Sequence, residues 1–163
     1  MINTSMLEQS FTECLKLTDK IIFTSLGLLC FGIFIPKITH NPDNEFSIPV
    51  IGLHVASFES ALWLIVFLHF CNSLRFLFVV LRAVAIAKRL PREILSQLQA
   101  YPAFITSNRI VDVVTTVSMG GMEGLIIGRL NYVSLCGLLL ICIFSSVGFI
   151  IGQVKANRVL DFE

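Results

Sequence analysis

The chain has 163 residues, of which 55% are hydrophobic and 14% are charged, and its mean hydropathy is +0.84. Ordinary soluble domains carry roughly 25% charged residues, and a small one has too little interior to hide this much apolar surface, so composition excludes a soluble globular fold. The net charge of +1 gives no global attraction to nucleic acid.

About four helices of ~20 residues fit the length. Residues 1–17 are mixed. Ser5 and Glu8 have the spacing of a capping box, and Met6, Leu7, Phe11, Cys14 and Leu15 recur at helical spacing. This predicts a short amphipathic helix on the membrane surface. A first span follows over residues 17–38, with Pro36 bending or ending it. It begins late for a secretory signal and no small-x-small site follows it, so it reads as a retained anchor.

Residues 39–57 read as an outer loop, with strong turn chemistry at Asn41-Pro42-Asp43-Asn44 and an apolar stretch broken by Pro49 and Gly52. The second span covers residues 58–81. No Gly or Pro interrupts the chain from Phe58 to Lys88, and that run is ~46 Å long as a helix, longer than the ~30 Å hydrocarbon core. It should stand out of the bilayer at its basic end. Residues 82–109 form a cytoplasmic loop in which residues 92–102 read as a short amphipathic helix with Ile94, Leu95 and Leu98 on one face, ended by Tyr101-Pro102.

The third span, residues 110–128, carries Asp112 and Glu123 and four glycines. Each carboxylate at the bilayer centre costs ~2.5–3.5 kcal/mol on insertion scales, so this helix needs partners. Residues 132–152 form the fourth span, joined to the third by a short link that makes the two an antiparallel hairpin, and a polar tail follows. With both termini inside, the inner segments hold Lys16, Lys20, Arg82, Lys88, Arg89, Arg92, Arg109, Lys155 and Arg158, against Lys37 and Arg129 outside. That asymmetry is the positive-inside pattern. The expectation is one all-α membrane domain, residues 1–163, with four transmembrane helices and cytoplasmic termini.

Charges inside a membrane are usually partnered. Measured from an inner boundary at Arg82 and Arg109, His69 lies ~20 Å deep, Glu123 ~21 Å, Arg75 ~10 Å and Asp112 ~5 Å. Glu59 and Arg129 fall near the outer boundary. A second helix antiparallel to the third would allow three intramembrane pairs: Glu59–Arg129, His69–Glu123 and Arg75–Asp112. Such pairs either neutralise one another and set register, or line a proton or ion path. Gly120, Gly124 and Gly128 form one GxxxGxxxG ladder, and Gly148 and Gly152 a second GxxxG. Both allow close helix approach, within the chain or between copies in a homo-oligomer. Arg82, Lys88, Arg89 and Arg92 form a basic cluster for anionic lipid or for docking a cytosolic protein.

Little else carries chemistry. No nucleotide-loop, zinc-protease, nucleophile-elbow or dinucleotide motif occurs. The outer-side residues His40, Asp43, Glu45 and His54 fit no metal spacing, and the five cysteines form no CxxC pair, so they read as small buried hydrophobes. Asn3-Thr4-Ser5 is a glycosylation sequon on an end placed in the cytoplasm, where it is silent. Neither an enzyme, a cofactor, a bound metal nor direct nucleic-acid binding is expected.

In size, four spans and the basic inner loop around Lys88-Arg89-Leu90-Pro91-Arg92, the whole chain resembles the membrane subunit of the Kiwa bacterial anti-phage system. Immunity proteins against pore-forming bacteriocins share that plan. The resemblance implies an inner-membrane protein that works with a cytosolic partner, and it assigns no individual residue. The reading is a non-enzymatic, oligomeric membrane subunit that anchors or senses in the bilayer and couples to a cytosolic protein. The alternatives are a small ion channel or pore, or an immunity protein.

Overall fold

The computed structural model describes residues 4–34, 46–48, 53–55, 58–99, 103, 109–130 and 133–160. Helix α1 is Thr4–Phe34. Strands β1 (Phe46–Ile48) and β2 (Leu53–Val55) follow, then α2 (Phe58–Ala87), α3 (Arg92–Gln99), α4 (Arg109–Gly128) and α5 (Leu135–Leu160). Three helices are long and apolar enough to cross a membrane, at Thr4–Phe34, Glu59–Ala87 and Leu135–Asn157, while α4 holds a shorter apolar stretch, Val113–Gly128. The surface supports this reading. Phe34, Leu140, Val117 and Phe144 are more than half exposed, whereas Thr18, Ser25, His69, Ser73, Glu123, Ser145 and Ser146 are buried. That is the inverse of a water-soluble protein.

Helix α1 differs from the expectation of a surface helix followed by a separate span. It is one helix of 31 residues. No Pro lies within it, and Thr12 and Thr24 donate back to the Glu8 and Lys20 carbonyls at 3.0 and 2.7 Å. Phe11 and Leu15 turn inward and are fully buried, in one core with Val80, Ala83, Val84 and Ala87 of α2. An apolar face that finds protein does not need the lipid surface.

Helix α2 runs unbroken to Ala87. Its last turn tightens through Arg89 and Leu90, whose N–H groups donate to Ile86 and Ala87, and Pro91 prevents further extension. Helix α3 folds back with Leu95 buried and Ile94 and Leu98 packed against the same core. Helix α5 continues to Leu160, so part of the polar tail is helical. Its start is capped by Ser134, whose Oγ accepts the Gly137 N–H at 3.2 Å. Within residues 39–57, β1 and β2 form an antiparallel hairpin pairing Phe46 with Val55 and Ile48 with Leu53. It is a small addition to an otherwise helical architecture.

The four long helices run up, down, up, down. Gly32 lies against Ile65 and Cys14 lies within electrostatic reach of Arg82, so α1 and α2 are antiparallel. Gly148 meets Ser73 and Gly152 meets Phe76, so α2 and α5 run parallel. Thr116 bonds Gln153 and Glu123 lies on Ser145, so α4 and α5 are antiparallel. The start of α1 and the end of α5 thus lie at the basic end of α2. The largest interfaces are α2 with α5 and α1 with α2; α4 packs on α5 and α1 and barely touches α2.

Candidate functional site

The site grows from that helix order. Sequence depth matched α2 to α4, but α5 lies between them. The groups on α2 and α4 therefore meet through residues of α5.

Two crossing points bring α5 close enough. At Gly148 the backbones of α2 and α5 nearly touch, and a Cβ there would overlap the Ser73 carbonyl. The Ser73 hydroxyl oxygen accepts the N–H groups of Gly148 and Phe149 at 2.9 and 3.2 Å. One turn on, a Cβ at Gly152 would come within 2.8 Å of the Phe76 ring. This GxxxG pair serves packing within the chain, against α2 rather than α4. The other ladder differs. Gly124 and Gly128 make only ordinary contact with α5, and a Cβ at Gly120 would meet nothing within 4 Å.

The close approach places Ser145 and Ser146 between His69 and Glu123. All four side chains are buried, His69 and Glu123 completely. Ser145 Oγ lies 2.6 Å from Glu123 Oε2, and 2.8 and 3.1 Å from the carbonyls of Ile141 and Cys142. Ser146 Oγ lies 3.5 Å from His69 Nε2, a marginal contact. The His69 ring stacks on Phe149 with centroids 5.4 Å apart, which fixes its orientation. Among the described residues, Glu123 Oε1, His69 Nδ1 and Ser25 Oγ are buried with no hydrogen-bond partner. Ser25 and Ser73 lie about one turn from this level toward the basic end.

The end opposite the basic cluster is fastened differently. Arg129 donates from Nη1 to the carbonyls of Gly32 and Ile33, both at 3.0 Å. Those are among the last carbonyls of α1, which have no partner inside their own helix. They also lie at the negative end of its dipole. The α4–α5 turn is thereby tied to α1. Glu59 is exposed at the start of α2. Arg75 is exposed on the outer face of α2, and the Asp112 side chain lies outside the described residues, as do Asn3, His40, Asp43 and Glu45. Toward the basic end, Thr116 donates to Gln153 Oε1 at 2.7 Å.

At that basic end Arg82, Lys88, Arg89 and Arg92 are all exposed. They sit on a packed base, since Ala83, Ala87, Leu90 and Leu95 beneath them are buried. The cysteines are free, with Cys14 buried and Cys71 and Cys136 exposed. Exposure to lipid, not burial in protein, suits the last two.

The residues that the sequence reading passed over are Ser145 and Ser146. Two adjacent serines inside an apolar run were the available signal. A groove of about 630 Å³ between α2 and α5, lined by Trp63, Phe67, Phe70, Leu140 and Phe144, has Ser145 in its wall. In comparisons with known proteins the chain matches no family model, no curated protein and no solved structure.

Proposed function

We propose that this protein is a non-enzymatic membrane subunit that couples the bilayer to a cytosolic protein partner. In this reading it crosses a bacterial inner membrane four times, with both termini in the cytoplasm. The observation that carries the reading is the α1–α2 pair. The 30 residues of α2 span about 45 Å, beyond the ~30 Å of hydrocarbon. Helix α1 stays packed along α2 to that far end, with Phe11 and Leu15 fully buried. Anchoring alone requires no such extension. A rigid extension topped by Arg82, Lys88, Arg89 and Arg92 suits an acidic protein surface. The setting that the Kiwa resemblance implies is anti-phage defence.

The test is purification of the full chain in detergent, with and without Lys88→Glu and Arg89→Glu together. The wild type should retain a soluble protein and the double variant should lose it while melting unchanged. Equal retention by the two would sink the proposal.

A homo-oligomer belongs to the same proposal. Gly120 is open, and Val114, Val117, Gly121, Leu125 and Gly128 beside it are exposed on α4. Small residues on a lipid-facing helix permit close approach of a second copy. Gly120→Leu should lower the oligomer mass measured by light scattering and leave the monomer folded. The ion-channel alternative is favoured by the buried His69–Ser146 and Ser145–Glu123 contacts. It requires ion flux in liposomes that Glu123→Gln changes.

A further inference from the structure

We propose that Glu123 is a proton-binding site at the centre of the bundle, holding its proton on Oε2 with Ser145 Oγ as the acceptor. The argument is a count of hydrogens. Ser145 has one hydroxyl hydrogen and three acceptor oxygens around it: Glu123 Oε2, the Ile141 carbonyl and the Cys142 carbonyl. Carbonyl oxygens only accept. If Glu123 is ionised, that single hydrogen must serve the carboxylate. The second oxygen, Oε1, is then a buried anionic acceptor that makes no hydrogen bond among the described residues, although the Ser146 hydroxyl is also near the carboxyl. If Glu123 carries a proton, its O–H donates to Ser145 Oγ. The Ser145 hydrogen is then free for Ile141, the usual bond of a helical serine to the carbonyl one turn back. The 2.6 Å separation is that of a short O–H···O bond.

Among the described residues no cation stands ready to hold the charged form. On α2 the facing titratable group is His69, which reaches Ser146 rather than Glu123. On α5 it is Cys142, which is neutral as a thiol and lies within electrostatic reach. On α1 the residue at this level is Leu29, and Lys20 is nine positions nearer the basic end, ~14 Å along the helix. Arg129 is six positions along the chain, with Nη1 committed to Gly32 and Ile33. Arg75 faces outward from α2. A carboxylate left unpaired in a membrane interior costs several kcal/mol, whereas a neutral acid donating to a serine does not. Loss of this proton would put an unmatched charge into the α4–α5 seam, so occupancy and packing are linked.

Ser145 borders the α2–α5 groove, whose wall is otherwise apolar. The polar pair Thr116–Gln153 lies in the same α4–α5 seam, seven residues or ~10 Å nearer the basic end.

The test is infrared spectroscopy of the full chain in lipid at neutral pH, comparing wild type with Glu123→Gln. The wild type should show the carbonyl stretch of a protonated carboxylic acid, and the variant should lack it. Ser145→Ala keeps the acid but removes its acceptor, so the band should move to higher frequency. The melting temperature of Glu123→Gln should match the wild type, because an amide keeps the site neutral and keeps a donor. No band that depends on Glu123, or a band that Ser145→Ala leaves in place, overturns the proposal. So does a melting temperature that sodium or lithium raises in the wild type and not in Glu123→Gln, since the site would then hold a metal cation.

Discussion

The α2–α5 seam and the seams around α4 solve the same problem in different ways. Lipid removes the hydrophobic drive for helices to associate, leaving shape and polar bonds to hold them. The α2–α5 seam uses shape. Gly148 and Gly152 let the backbones close, and Ser73 bonds across the gap to backbone N–H groups. Helix α4 uses polar ties. Arg129 fixes its C-terminal end to α1, Glu123 its middle and Thr116 its N-terminal part to α5. Its outward face is apolar and glycine-rich. A helix held at a few points can shift when one point changes, whereas a close-packed seam is either formed or lost.

The comparison breaks most visibly at Gly148. Gly148→Leu places side-chain atoms where the Ser73 carbonyl is, and backbone cannot yield as a side-chain tip can. The expected loss is about 3 kcal/mol, the upper end of the overpacking range, seen as loss of the folded peak in detergent chromatography. A well-folded Gly148→Leu protein would show that the seam is looser than described. Next comes Arg129→Gln. Removing a charged bond to two terminal carbonyls should cost about 2 kcal/mol, read as a lower melting temperature. Its hydrogen-exchange protection should fall at the end of α1 and hold at the α2–α5 seam.

A smaller effect sharpens the description of the buried cluster. His69→Ala and Glu123→Ala, alone and together, should couple by about 0.5 kcal/mol, the low end for residues sharing one network. They meet only through Ser146, which lies near the Glu123 carboxyl and at a marginal 3.5 Å from His69. Coupling of several kcal/mol would mean a direct ion pair instead. The smallest effect is Thr116→Val, which should cost about 0.6 kcal/mol, the average for an interhelical hydrogen bond in a membrane.

Much of the architecture was legible in the apolar runs. Pro91 marked the end of α2, the unbroken stretch from Phe58 matched its length, and the spacing of Ile94, Leu95 and Leu98 matched the packed face of α3, while Pro36 lies outside the described residues. The continuity of α1 was not legible. Lys16, Asp19 and Lys20 interrupt the apolar pattern without interrupting the helix. Nor was the order of helices around the bundle. Depth is one coordinate, and it put His69 and Glu123 at the same level without saying that α5 stands between them. Ser145 and Ser146 were hidden for a related reason. A serine in an apolar helix satisfies itself on the preceding turn, so the sequence alone does not distinguish an inward serine from an outward one.

The length of the α1–α2 pair has a mechanical consequence. A hydrophobic stretch longer than the bilayer is accommodated by tilting, and the tilt follows membrane thickness. Two helices packed together from Gly32 and Ile65 to Cys14 and Arg82 tilt as one body. A small rotation in the hydrocarbon then becomes a larger sideways sweep at Lys88 and Arg89, as at the free end of a lever. In the membrane topology proposed above, thinning, stretching or perforation of the bilayer would move the basic tip before any helix had to unfold.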